Sequence, residues 1–332
     1  MKITRRSLIR RVASCAALAV IGARAQQTNR LPRVALVFSA IPVAEIGSAD
    51  PINPSARAFV HALRDLGLVD GRNIVIVRRS AEGRTERFPA LMEELVAIGV
   101  DVIVTFSPKA VRAAQRVTDR IAIIALVDNV LDTGLIDSLA RPGRNVTGIG
   151  DSYPGTYAKE LQFLREAAPG ISRVAVIDNR PLPGPRTSSH SEIYAAARSM
   201  QMDVLWLPVD APEEFEAAFA TIVREHADAL DAIANPVTVA HRRRIADFAL
   251  KQRLPSIGFP EYGMLLQYGP EPGEIMGRAA VQVKKILDGT KPGDLPFEQP
   301  MKLVLTINLK TAKALGLTLP QSLLLRAEKV IQ

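Results

Sequence analysis

The sequence predicts an α/β protein of two lobes, each built on a mainly parallel sheet, and three observations predict it. Short β-branched runs alternate with amphipathic segments along most of the chain, the grammar of strand–helix–strand units. The same series of segments occurs twice in the same order. Several runs are apolar without alternation, as strands covered on both faces require.

The first strand is Arg33-Val34-Ala35-Leu36-Val37-Phe38. Phe59, Leu63 and Leu66 then fall at i, i+4 and i+7, one face of a helix that Gly67 can end. Ile74–Val77 reads as the next strand, and Phe88, Leu91, Leu95 and Ile98 mark the next helix. Asp101–Thr105 and Ile121–Ala125 are apolar runs with the character of doubly covered strands. The series then restarts: Arg173–Asp178 echoes Arg33–Phe38, DALDAIANP (228–236) echoes DVIVTFSP (101–108), and Arg253–Gly258 echoes Arg120–Ala125. Between the repeats, Arg141-Pro142-Gly143-Arg144-Asn145-Val146-Thr147-Gly148 has the composition of a linker. Beyond the second repeat the pattern adds a strand at Met264–Tyr268, a helix over Glu274–Leu287 and a strand at Lys302–Ile307. That surplus predicts further crossings between lobes, and so two Rossmann-like lobes joined by a multi-strand hinge.

Composition narrows the function. The chain has 332 residues, 42 Lys+Arg against 34 Asp+Glu, one Cys and four His. A disulfide framework and a thiolate zinc cluster are both excluded by the single Cys. The formal charge of +8 suggests a partner of opposite charge until its distribution is examined. Six of the basic residues lie within Met1–Ala25, which holds no acid. Without that segment 36 basic residues face 34 acids, a net of +2. The segment has a basic start, a weakly apolar stretch from Val12 to Gly22 and an A-x-A end at Ala23-Arg24-Ala25, the three parts of an export signal. Thr4-Arg5-Arg6-Ser7-Leu8-Ile9 resembles a twin-arginine motif. The expectation is therefore an exported, periplasmic protein cleaved after Ala25, with Cys15 discarded. Nucleic-acid binding is not expected, because no aromatic interleaving accompanies the basic residues.

Catalytic and cofactor signatures are absent from the sequence. His61, His190, His226 and His241 show no H-x-x-x-H spacing, so neither a metal nor another cofactor is expected. His61 and His241 read as residues of exposed helix faces. Gly148-x-Gly150 lacks the third glycine of a dinucleotide fingerprint, and no G-x-S-x-G elbow or P-loop occurs. Arg242-Arg243-Arg244 reads as a solvated helix face.

In open parallel sheets ligands bind beyond the C-terminal strand ends, where helix N-termini supply free N–H groups and a positive dipole end. In the first lobe this rule selects Ser39, Phe106, Ser107 and Asp128. In the second it selects Asp151, Ser152, Asp178, Asn179, Asn235, Glu261 and Tyr262. Ser107, with the amides ahead of its helix, suits an α-carboxylate, and Ser39 can assist. Asp128, Asp151 or Asp178 suits an α-ammonium. Phe38, Phe106, Tyr153 and Tyr262 suit an apolar side chain. Ser107 and Asn235 equally suit helix N-caps, and Asp128 and Asp178 equally suit turns.

The stretches LARPGRNVTGIG (139–150), LPSIGFPEYG (254–263), KILDGTKPGDLPFEQPMK (285–302) and INLKTAKALGLTLPQSLLLRAEKVI (307–331) resemble the ABC-transporter substrate-binding protein family that includes aromatic amino-acid binders. The resemblance implies a type I periplasmic-binding-protein architecture with three crossovers. Lobe 1 would span 32–147 and 259–289, and lobe 2 would span 148–258 and 290–332. It implies a non-enzymatic monomer that binds a small amino-acid-like or carboxylate solute between its lobes and docks on ABC permease transmembrane subunits. An exported ligand-sensing domain feeding a membrane receptor is the alternative; an exported hydrolase would need a nucleophile–His–acid site that no motif proposes.

Overall fold

The structure is a computed structural model that describes residues 30–127, 130–131, 133–150, 155–179, 188–299 and 302–332. Twelve strands among these residues form two sheets. The first contains β1 (Arg33–Phe38), β2 (Val75–Ser80), β3 (Val102–Thr105), β4 (Ala122–Leu126) and β5 (Val146–Ile149), in the order β2-β1-β3-β4-β5. The second contains β6 (Arg173–Asp178), β7 (Asp203–Pro208), β8 (Ala229–Ala232), β9 (Ser256–Ile257), β10 (Leu266–Pro270), β11 (Leu303–Asn308) and β12 (Lys329–Ile331), in the order β12-β11-β10-β9-β8-β6-β7. Every pairing is parallel except β10 with β11.

The apolar strands are buried on both faces, as their composition requires. Along β1, Val34, Leu36 and Phe38 enter one core cluster while Ala35 and Val37 enter the cluster on the opposite face. Along β6, Val174 and Val176 divide in the same way from Ala175 and Ile177. The helices are α1 (Val43–Ile46), α2 (Pro54–Asp65), α3 (Phe88–Ala97), α4 (Pro108–Val117), α5 (Thr156–Ala167), α6 (Ser188–Ser199), α7 (Phe215–Arg224), α8 (Pro236–Ala240), α9 (Arg242–Lys251), α10 (Pro272–Leu287), α11 (Leu309–Leu315) and α12 (Gln321–Leu324). Helix α2 shows why such segments form: Asn53 accepts from the Ala56 N–H, Pro54 opens the first turn, and Phe59 and Leu63 are fully buried. Each such side chain contributes about 1.5–3 kcal/mol by leaving water.

The repeat seen in the sequence has a hydrogen-bond basis. Asp101 Oδ2 accepts from the Arg33 N–H at 2.7 Å, and Asp228 Oδ2 accepts from the Arg173 N–H at 2.9 Å. In each half the Asp N–H in turn donates to the Arg carbonyl at 2.8 Å. The pair of residues therefore ties the first strand of each lobe to the start of its third.

Three expectations need correction. Of the stretch Arg141–Gly148 read as linker, Val146–Gly148 belong to the fifth strand of the first sheet, Val146–Ile149, buried along its whole length. Residues 259–270, expected in lobe 1, carry β10, which pairs with β9 and β11 in the second sheet. Leu265 and Leu266 are fully buried in that core, which fixes the strand there. The stretch after residue 290, expected in lobe 2, still belongs to the first lobe through Phe297, and Glu298 bridges to Ile149. The chain thus passes between lobes after β5, between Pro270 and α10, and again before β11. Helix α10 packs on the first-lobe core through Ile275, Met276 and Val283.

Polar groups bind the crossing segments together. Gln282, 1% exposed, donates to the Gly148 carbonyl at 3.2 Å and to Glu298 Oε1 at 3.1 Å. Arg278 pairs with Glu298 at 2.6 Å and with Glu274 at 3.2 Å.

Candidate functional site: an interlobar cleft

The C-terminal strand ends of both sheets converge on one cavity of about 370 Å³. That volume is within the ordinary range for a small-molecule site and has room for about a dozen water-sized groups. The first lobe supplies Phe38 and Ser39 after β1, Phe106 after β3, Leu126 at the end of β4, and Asn53 and Ser55 at the start of α2. The second supplies Thr156, Tyr157 and Glu160 from α5, Asp231 to Pro236 from the end of β8 into α8, and Gln267 to Pro270 from β10. Ile275 and Met276 of α10 close one side.

Three of the eleven residues selected from the sequence, Asp128, Asp151 and Ser152, lie outside the described residues, as does Tyr153. Ser39, Phe106 and Asn235 line the cavity. Ser39 is 8% exposed and its Oγ has no hydrogen-bond partner among the described residues. Phe106 stacks on Phe38 with ring centroids 4.5 Å apart, giving the first-lobe wall a flat aromatic face. Asn235 is an N-cap as well: its Oδ1 accepts from the Val237 and Thr238 N–H groups at 2.9 and 3.0 Å.

The other five sit elsewhere. Ser107 is buried at the start of α4 but is not part of the lining, and its side chain makes no capping bond. Asp178 stands behind Asn235, whose Nδ2 donates to it at 3.2 Å; Asn179 donates its N–H to the same carboxylate at 2.7 Å. Glu261 is drawn outward by Lys329 at 2.8 Å. Tyr262 packs beneath the Arg242 guanidinium, 4.4 Å from its ring centre.

Asp231 is the lining residue that strand-end reasoning missed. It lies within β8 rather than beyond it, 2% exposed, and its Oδ2 has no hydrogen-bond partner among the described residues. Strand alternation puts it on the face of Ala229 and Ile233, toward α5. Burial raises its carboxyl to about 7, and the neighbouring Asp178 carboxylate adds to the effect. Asp178 is raised to about 6, chiefly by burial, against the opposing pull of its bonds from Asn179 and Asn235. The sequence signal was a lone acid interrupting the apolar run Ala229-Leu230-Asp231-Ala232-Ile233.

The basic run at the start of α9 is only partly a solvated face: Arg243 is exposed, but the arginines on either side of it are engaged. Arg242 is 9% exposed and reaches across the lobes to Glu45 of α1 at 3.3 Å. Arg244 pairs with Glu216 at 2.6 Å and lies over the Phe215 ring. His241 is half-buried against Phe215, and burial, followed by Arg244, lowers its basicity. His61 is exposed as expected and pairs with Asp50 at 3.0 Å.

The lining has a consistent chemical character. Among its described residues there are two acids, Asp231 and Glu160, and no Lys, Arg, His or Cys. Among the described residues of the whole chain, no group of three His, Cys, Asp or Glu is placed to hold a metal. No described helix is long and apolar enough to cross a membrane. The cleft offers an aromatic wall, buried hydroxyls and a buried carboxyl to a small molecule.

Comparisons with known proteins place the chain in a family and give its fold. The "Tyrosine-binding protein" of Clostridioides difficile (strain R20291) is 24% identical over 282 residues, covering 83% of this chain and 81% of that protein. The structure of an ABC domain in complex with L-Trp from Streptococcus pneumonia superposes with a TM-score of 0.79 at 19% identity, over 91% of this chain and all of that one. A conserved domain protein from Vibrio cholerae matches with the same TM-score at 21% identity, again over 91% of this chain and all of the other. These two likenesses establish the fold, that of type I periplasmic-binding proteins. The family model described as "ABC transporter substrate binding protein" matches residues 40–331, and the chain belongs to that family.

Proposed function

We propose that the chain is a periplasmic solute-binding protein of an ABC importer that takes a small amino-acid-like solute between its lobes. The observation that carries this reading is the cavity that strand ends of both sheets line together. The relatives named for tyrosine and L-Trp support an amino-acid-like solute. The mechanism is hinge closure: a solute held by both walls favours the closed arrangement by its greater affinity for it. Phe38 and Phe106 take the apolar part, and Ser39 and the start of α2 take a polar end. Asn235 contributes from the second lobe. No bond in the solute is made or broken. Closure then presents a joint surface of the two lobes to the permease transmembrane subunits, with the monomer as the docking unit. Residues 1–25 act as the export signal.

The importer role separates from receptor sensing by capture from membranes. A tagged chain, cross-linked in cells supplied with solute, should retain ABC permease transmembrane subunits, and deleting the chain's gene should abolish solute uptake. Capture of a membrane receptor with a signalling domain, with uptake intact, would assign the chain to sensing instead.

A further inference from the structure

The two lobes meet at a second place, away from the segments that join them. The joining segments gather at β5, through the bond from Gln282 to Gly148 and the bridge from Glu298 to Ile149. β5 is one edge of the first sheet, and β1 stands three strand spacings away, about 14 Å. On that far side the end of α8 and the start of α9 reach the first lobe. Val239 packs against core clusters of both lobes. A Cβ added to Gly83, just past β2, would stand 3.1 Å from the Ala240 Cβ, so the lobes touch there. Beside them Arg242 Nη2 donates to Glu45 Oε1 at 3.3 Å and lies 3.5 Å from Oε2. Ile41 and Val239, a few residues before the two partners, line the cavity. Rotation about the joining segments moves this side farthest, so these contacts part when the cleft opens.

Each partner is held ready on its own lobe. Arg242 Nη1 donates to the Val239 carbonyl at 2.7 Å, and the Tyr262 ring lies beneath the guanidinium. The Glu45 carbonyl accepts from the Asn53 N–H at 3.0 Å, and Ile46 beside it is fully buried. A guanidinium already fixed in place loses little freedom when it gains a partner. The two side chains are 11% and 30% exposed, so water and salt screen their attraction less than in an open surface pair. We propose that Arg242 and Glu45 form a latch on the side of the cleft away from the hinge. It keeps the lobes closed for most of the time before a solute arrives, and a bound solute leaves only when it parts. The proposal rests on the hinge-closure reading above and assigns the pair that regulates it. A solute meeting lobes already biased toward closure loses less of its affinity to the closing step.

Residues 26–332 contain no Cys, so two spin labels can be placed at chosen sites of the mature chain. Glu86→Cys in the first lobe and Asp247→Cys in the second are exposed positions on either side of the latch. The labelled chain is unfolded, washed and refolded to strip any retained molecule, and the distance between labels is read by pulsed electron paramagnetic resonance. The latch predicts a major short distance and a minor longer one. Glu45→Gln should lower the ratio of short to long at least about fivefold, the effect of a charge-assisted bond discounted for its length and partial exposure. Glu45→Lys sets two cations against each other and should make the long distance the major one. Arg243→Gln removes the neighbouring exposed charge and should leave the ratio unchanged. A wild type that shows mainly the long distance overturns the proposal, as do wild-type ratios in both Glu45 variants. An Arg243→Gln ratio that falls as far as that of Glu45→Gln overturns it too. No arm uses a solute, so each of these results leaves the solute-binding reading to be judged separately, by the molecules the protein itself retains.

Discussion

Asp231→Asn should make the empty protein more stable at pH 8, a reversal of the usual effect of altering a buried residue. The carboxyl has an ordinary value of 3.8 and is raised to about 7 in the fold. Between those values the folded chain holds a proton that the unfolded chain has released. Stability is therefore fully present below 3.8 and is lost as pH rises through about 7. A shift of this size corresponds to a loss of up to about 4 kcal/mol across the window. Asparagine keeps the neutral form at every pH, so the variant should exceed the wild type by a few kcal/mol at pH 8 and match it near pH 4. Urea titrations at both values measure this. A variant less stable than wild type at pH 8 would show that the carboxylate is stabilised by the fold rather than tolerated by it. A protein whose site strains against its own fold is a familiar outcome where binding is selected.

Gly148→Ala should produce the largest loss. Gly148 lies in β5 opposite Ala125 of β4, and an added Cβ would stand 1.9 Å from the Ala125 carbonyl oxygen. The obstacle is backbone inside a parallel sheet, so neither a rotamer change nor a flexible side chain can relieve it. The two strands must separate, and the crossing segment moves with them. The Gly148 carbonyl accepts from Gln282 and from the Glu298 N–H. We expect destabilisation of about 3 kcal/mol or more, at the upper end of overpacking effects. Gly170→Ala is the control, because nothing lies within 4 Å of its added Cβ. The denaturation midpoint should fall sharply for the first variant and stay within error for the second. Equal midpoints would mean that β4 and β5 are not in register as described.

These two residues also mark what could be read from the sequence. Doubly buried strands announced themselves by unbroken apolar runs, and the Arg–Asp ties that repeat in each lobe made the two halves echo. Ser39, Phe106 and Asn235 reached the cleft because they follow strand ends, where chain direction alone fixes position. Asp231 was missed because it sits inside a strand, where the strand-end rule does not look. The start of β5, Val146–Gly148, was read as the end of a linker because asparagine before it and glycine within it break up so short a strand. Its burial comes from β4 and from the distant Glu298 segment, which no local pattern can reveal. Glu261 and Tyr262 obeyed the strand-end rule, but Lys329 and Arg242, far away in sequence, hold them elsewhere. The Arg242–Glu45 pair across the lobes was hidden for the same reason: a charge run looks solvated until its partners are known.

The central claim is that a small solute occupies the cleft between the lobes. Native mass spectrometry of gently purified protein, followed by analysis of what is released on unfolding, tests it most directly. We predict one small molecule per chain, released on unfolding, and lost or sharply reduced when Phe106→Ala removes half of the aromatic wall. A chain that carries no small molecule and gains none from a cell extract, or one whose bound molecule is retained undiminished in Phe106→Ala, would contradict this account.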